Sequence, residues 1–70
     1  MSADKLKTGE RGIIKEILHE GLQRRRMYDF GFLPEVEISV YQKIRGNIAF
    51  NVKGSNIVIR IEDAKNIILK

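Results

Sequence analysis

Hydrophobic residues occupy every second position in three segments in the second half of the chain. Side chains at alternate positions of a β-strand lie on one face of the sheet, so this pattern predicts strands with one buried face. Two glycine-containing segments, 45–47 and 54–56, separate these strands and predict hairpin turns. The alternating hydrophobic positions are Val36, Ile38 and Val40, then Ile48, Phe50 and Val52, then Ile57, Ile59 and Ile61.

The rest of the chain predicts a strand over 13–18, a helix over 21–30 and, at Gly31, a left-handed helix C-cap. A single helical turn over 62–65 and a closing strand over 67–69 complete the pattern. Short strands at about ten-residue spacing predict a mainly β fold, a small five-stranded barrel with one inserted short helix. The predicted core is Ile13 or Ile14, Ile17, Met27, Phe30, Val36, Ile38, Val40, Ile48, Phe50, Val52, Ile57, Ile59, Ile61, Ile67 and Leu69.

Length and composition narrow the class of protein. The chain has 70 residues, which predicts a single domain over 1–70, and its lack of cysteine excludes disulfides and thiolate metal sites. No signal peptide is visible, and no segment approaches the roughly 20 apolar residues of a membrane span. We therefore expect a cytoplasmic protein without membrane insertion. The net charge of +4 favours acidic partners, either nucleic acid, an anionic membrane surface or an acidic protein face.

The segment from Arg26 to Pro34 resembles the most recognisable stretch of the FeoA family. In that family an arginine, a leucine, an aspartate, a second leucine and a glycine end a short helix before a proline. Met27 and Phe30 stand at the two apolar positions, and the resemblance extends along nearly the whole chain in the same order. The flanking matches are Leu6, Gly9 and Gly12, then Lys53, Gly54 and Ser55, then Arg60, Glu62, Ala64 and Ile67.

The resemblance implies an SH3-like barrel that carries an inserted helix. It also implies a non-enzymatic role in ferrous iron uptake, beside the membrane transporter FeoB, whose cytoplasmic part is a GTPase. We therefore expect the chain to dock on that GTPase region and modulate the transporter, without a cofactor, and self-association is left open. A stand-alone relative of the C-terminal module of DtxR-type repressors, which recognises a peptide segment, is a further alternative.

Two positions depart from the family pattern. Glu35 follows Pro34 where the family commonly has glycine, and Asn47-Ile48 stands where many members have an aspartate-proline pair. Both positions are predicted to lie in loops, so they bear on turn shape and partner contacts more than on the fold.

The predicted helix has an apolar face formed by Leu22, Met27 and Phe30, since successive residues are about 100° apart. Arg26 falls within this face. Its stem is therefore expected to cover the core, and its guanidinium to meet backbone carbonyls, a carboxylate or water. The residues predicted to lock the helix to the barrel are Arg26, Met27, Phe30, Gly31 and Pro34.

The opposite side of the helix carries Arg24, Arg25 and Tyr28, which are predicted to face solvent. A basic, partly aromatic patch can dock on an acidic surface, so these residues form the predicted partner-binding site. The structural alternative is a solvated face that only keeps the helix soluble.

Metal binding and catalysis are weaker hypotheses. His19 with Glu16 and Glu20 contains the ligand types of first-row metals, but Glu16 and His19 fall on opposite faces of an extended strand. A surface histidine and no metal site are therefore predicted. No catalytic residue is predicted either, because a lone histidine with scattered serines lacks the context of a nucleophile and its base.

Nucleic-acid binding is the main alternative function. Small β-barrels bind RNA or DNA through basic loops and stacking aromatic side chains. Phe50 belongs to the alternating apolar face, which leaves one exposed strand aromatic for stacking. The residues of this candidate path are Lys43, Arg45, Lys53 and Arg60, with Tyr41.

Overall fold

A computed structural model describes residues 1–70. Five antiparallel strands form one sheet in the order β4-β3-β2-β1-β5, which confirms the predicted mainly β fold. A 3₁₀ turn over Ala3–Lys5 precedes the first strand. The other elements are β1 Arg11–Ile17, α1 Gly21–Asp29, β2 Glu37–Ile44, β3 Asn47–Val52, β4 Ser55–Arg60, α2 Ile61–Ala64 and β5 Ile67–Leu69.

Strand β1 divides its hydrogen bonding between two neighbours, and this division curls the sheet. Its first half, 11–13, pairs with β2, and its second half, from Ile14 to Ile17, pairs with β5. The register shifts between Ile14 and Glu16, and such irregularities bend a strand and increase its twist. The two edges of the sheet, β4 and β5, are joined by α2 rather than paired with each other.

Both hairpin turns are tighter than predicted. Arg45-Gly46 and Lys53-Gly54 form two-residue turns, and all four residues have positive φ, at 37°, 79°, 52° and 86°. Positive φ at both central residues is the type I′ geometry, whose twist matches that of the flanking strands. The predicted turn segments 45–47 and 54–56 are therefore corrected. Asn47 begins β3, and Ser55-Asn56 begins β4.

The core contains most of the predicted residues and several unpredicted ones. Val36, Ile57 and Ile61 are half-buried and pack against the cluster. Phe30, predicted to be in the core, is 45% exposed, and Phe32 is completely buried, edge-on to Phe50 with ring centroids 5.9 Å apart. The buried hydrophobic residues that the alternation did not predict are Ala3, Leu6, Phe32, Ala49 and Ala64.

The C-cap of α1 explains why Phe32 is buried and Phe30 is not. Gly31 has φ +104°, as predicted for the cap. Its N–H donates to the Tyr28 carbonyl at 2.9 Å, and the Phe32 N–H donates to the Met27 carbonyl at 3.0 Å. This pair of bonds is the Schellman motif, in which the second residue after the cap packs back on the last helical turn. The chain therefore reverses, and Phe32 enters the core beside Met27.

A turn after the cap leads the chain into β2. The Val36 N–H donates to the Leu33 carbonyl at 3.2 Å, with Pro34 and Glu35 at the two central positions. Glu35 has φ 74°, the left-handed conformation that the second central residue of a type II turn requires and that glycine favours. Glu35 thus adopts a glycine-like backbone at the position where the FeoA family commonly has glycine.

Candidate functional site

Two of the three predicted partner-binding residues lie on the exposed side of α1. Arg24 and Arg25 are both exposed, and neither takes part in any ion pair of the structure. Tyr28, predicted to face solvent, is instead half-buried and packs against the core. The exposed patch is therefore basic, and its predicted aromatic residue, Tyr28, is only partly accessible to a partner.

Met27 is the one fully buried side chain of helix α1, and the half-buried Tyr28 packs against the core beside it. Leu22, predicted on the buried face, is 72% exposed, and Arg26 is also exposed. The prediction that the Arg26 stem covers the core is therefore wrong. Its guanidinium makes no ion pair or hydrogen bond within the chain and is left to water, one of the partners expected for it. The physical reason is that only the side of the helix that carries Met27 and Tyr28 reaches the core, which leaves Leu22 and Arg26 in solvent.

An open cleft of about 350 Å³ separates α1 from the edge strand β4, and we call it the α1–β4 groove. Met27 and Ile59 form its buried floor. The walls combine apolar and cationic side chains, with Phe30 on the helix side and Val58, 60% exposed, on the strand side. The other lining residues are His19, Gln23, Arg26, Asn47, Arg60 and Asp63.

His19 closes one end of the groove. Predicted as a surface histidine, it is instead buried, with its Nε2 atom 3.1 Å from Oδ1 of Asp63. The second Asp63 oxygen lies 3.6 Å from Nε of Arg60. The Nδ1 atom of His19 is buried and has no hydrogen-bond partner. The His19–Asp63 contact ties the loop before α1 to α2 and so fixes the width of the groove at this end.

The residues considered for a metal site do not come together. Glu16 and Glu20 are exposed, and His19 turns inward to a single carboxylate. Nowhere in the chain do three or more His, Asp or Glu side chains lie close enough to hold an ion. The chain also has no helix long and apolar enough to cross a membrane.

The candidate nucleic-acid path is broken up by the fold. Arg45 and Lys53 lie in the turns at opposite ends of β3, about 20 Å apart at the rise of a strand. Lys43 donates to the Asp4 carbonyl at 3.2 Å, and Arg60 faces Asp63. These side chains therefore form no continuous cationic track beside the exposed Tyr41.

The sequence could have pointed to one wall of the groove. In β4, Ile57 and Ile59 occupy the inward positions, so the apolar Val58 stands alone on the outward face. An apolar residue at an outward position is a weak signal of contact with another molecule. The contributions of Gln23, Asn47 and Asp63 depend on how α1 and α2 sit against the sheet, and no local pattern marks them.

The chain is similar to a known protein family and to several solved structures. A family model described as the FeoA domain matches residues 1–70. The FeoA protein from Chlorobium tepidum has a TM-score of 0.91 at 25% identity, covering 99% of this chain and 68% of that one. Iron(II) transport protein A from Clostridium thermocellum has a TM-score of 0.92 at 25% identity, and the match covers 100% of this chain but 44% of that one.

A third structure supports the SH3-like description of the fold. FeoA from Stenotrophomonas maltophilia, complexed with zinc and described as a procaryotic SH3 domain protein, has a TM-score of 0.86 at 20% identity. The match covers 100% of this chain and 89% of that one. The predicted SH3-like fold is thus confirmed. A comparison with curated proteins finds no match.

Proposed function

Because this chain belongs to the FeoA family, we propose that it is a non-enzymatic accessory protein of bacterial ferrous iron uptake. In this proposal it acts in the cytoplasm, where it docks on the GTPase region of an FeoB-type membrane transporter and changes the transporter's activity. Iron is the cargo of the transporter and is not held by this chain.

The exposed arginines of α1 carry the proposal. Arg24, Arg25 and Arg26 are consecutive and exposed, and no carboxylate of the chain neutralises them. Charged surfaces of this kind steer association with a partner of opposite charge and raise the rate of encounter. The helix that presents them is anchored by Met27 and by its glycine C-cap, so the charges are held in a fixed arrangement.

The regulatory effect follows from differential binding. A bound module shifts a conformational equilibrium only if its affinity differs between the two states. We therefore expect the chain to bind one nucleotide state of the GTPase region more tightly than the other. Titrations in the presence of GDP or of a non-hydrolysable GTP analogue measure that difference directly.

Charge reversal tests the docking surface. The variant R24E/R25E is expected to bind the purified cytoplasmic region of the transporter at least about tenfold more weakly, a loss of about 1.4 kcal/mol. The matched control is K15E/K65E, which changes the net charge equally at exposed lysines outside α1. Binding is measured by biolayer interferometry at two salt concentrations. Equal losses in both variants would show that only net charge matters and would reject the patch.

A further inference from the structure

We propose that the α1–β4 groove binds an extended, acidic peptide segment of a partner protein, which adds to the free edge of β4 as a sixth strand. The inference goes beyond docking through the exposed arginines of α1, and it does not require the partner to be the transporter. It rests on three independent features of the groove: its backbone, its apolar walls and its charge.

The backbone of β4 is free along its outer edge. The two-residue turn at Lys53-Gly54 makes Val52 and Ser55 a hydrogen-bonded pair, and bonded and non-bonded pairs alternate along an antiparallel ladder. Asn56 and Val58 therefore direct their N–H and C=O groups away from β3. No backbone hydrogen bond outside the ladders and helices uses these groups.

Free strand edges are usually protected against pairing with other chains. Lysine or proline in the edge strand, a bulge or a covering element are the common devices. Strand β4 has the sequence Ser-Asn-Ile-Val-Ile-Arg and pairs with β3 in unbroken register, so it contains no lysine, proline or bulge. Its one charged residue, Arg60, stands at its last position. The groove beside β4 is lined on its other side by residues of α1. An edge that is open and flanked by a groove fits strand addition, a common mode of peptide recognition.

The walls of the groove offer apolar contacts to an added strand. Val58 and Phe30 are 60% and 45% exposed and line the groove together with the buried Met27 and Ile59. A volume of about 350 Å³ lies at the lower end of the range for ligand pockets. The groove therefore accepts a few side chains of an extended segment but not a folded domain.

The charge of the groove selects an acidic occupant. Two guanidinium groups, of Arg26 and Arg60, line it against one carboxylate, that of Asp63. Asp63 already contacts both His19 and Arg60, whereas Arg26 has no partner. Strand β4 contains no acidic residue, so β4 of a second copy could not neutralise Arg26 and would add like charges. A carboxylate from a different protein satisfies this requirement.

The test uses a defined probe peptide. The acetylated and amidated peptide Thr-Val-Glu-Val-Glu-Val-Thr is titrated into the ¹⁵N-labelled chain, and backbone amide shifts are recorded. We expect saturable shifts at Asn56 and Val58 and at the Arg26 side chain, with a peptide that carries lysines in place of the glutamates binding at least about tenfold more weakly. Absence of shifts along β4 at about 1 mM peptide would overturn the proposal.

Two variants separate backbone pairing from charge. V58P removes an outward N–H while leaving the ladder to β3 intact, as edge strands permit, so binding is expected to be lost with the folded amide spectrum retained. R26E is expected to weaken binding of the acidic peptide at least about tenfold, and R25E, one residue away and outside the groove, to leave it unchanged. Equal effects of R26E and R25E would overturn the proposal, and this readout stands even if V58P fails to fold.

The experiment also distinguishes other occupants and other surfaces. A concentration-dependent dimer in sedimentation, abolished by V58P, would assign the edge to a second copy and overturn the proposal. The R24E/R25E variant should retain peptide binding in the groove while losing the transporter. Failure of either proposal is therefore visible without the other.

Discussion

Gly31 ends α1 in a backbone conformation that directs the following chain into the core. Its φ of +104° is one that side chains with a Cβ rarely adopt, and a Cβ built there would lie 3.2 Å from Cγ1 of Val52. Gly9 has a similar φ of +88° but no atom within 4 Å of the corresponding position. The two glycines therefore share the conformational strain and differ in crowding.

We expect G31A to destabilise the fold more than G9A. The left-handed conformation costs a residue with a Cβ about 1–2 kcal/mol, which applies to both variants. Only G31A adds the contact with Val52, on a β3 side chain that is itself buried and has little freedom to move. Urea unfolding of the two variants measures the difference. Equal free energies of unfolding would show that the Val52 side chain moves away from the added methyl group without a loss of stability.

His19 shows what a residue-level pattern cannot reveal. Its neighbours Leu18 and Glu20 are both exposed in the structure, so His19 is buried alone in this segment. No alternating or helical pattern of apolar residues in the local sequence predicts that burial. It is covered because α2, more than forty residues later, supplies the carboxylate of Asp63 as a hydrogen-bond partner. Burial of a polar ring with an unpartnered nitrogen costs about 1–3 kcal/mol, and the contact with Asp63 offsets part of this cost.

Among the elements, the strands and their buried faces were predicted correctly, but the buried face of helix α1 was not. Alternation places every second residue of β2, β3 and β4 on the inner face, and a sheet has only one inner face to fill. A helix of nine residues has several apolar side chains whose burial depends on its distance from the sheet. A groove separates α1 from β4, and Phe30, directly after the helix, lines this groove instead of entering the core. The sequence could not predict this separation.

Two phenylalanines near the end of α1 test this arrangement. F32A removes a completely buried ring that packs on Phe50 and is expected to cost about 3–5 kcal/mol of unfolding free energy. F30A makes the same chemical change on a groove wall and is expected to cost less than about 1 kcal/mol. Chemical denaturation monitored by circular dichroism compares them. A comparable loss in F30A would mean that α1 packs against the sheet more closely than the structure shows.

At the scale of the whole molecule, the N-terminal and C-terminal segments of the chain pack together and hydrogen-bond to each other. The Leu69 N–H donates to the Met1 carbonyl at 2.7 Å, and the Lys70 N–H donates to the Ile13 carbonyl at 2.8 Å. Ala3 and Leu6, beside the 3₁₀ turn, are buried in the same cluster as β5. No alternation runs through this N-terminal segment, so its place in the core depends on contacts with residues more than sixty positions away.

The variant L6A tests how much the packing of the N-terminal segment contributes to the stability of the whole domain. L6A deletes a buried side chain from the core and is expected to lower the free energy of unfolding by about 2–5 kcal/mol. A domain of this size loses roughly 4–8 °C in Tm for each kcal/mol, so a fall of at least about 8 °C is expected in calorimetry. L18A, an equal deletion at an exposed site after β1, serves as the control and should change Tm by less than about 5 °C. A Tm for L6A as high as that of L18A would mean that the N-terminal segment lies on the surface of an already complete core, because only a buried leucine leaves a cavity when it is truncated.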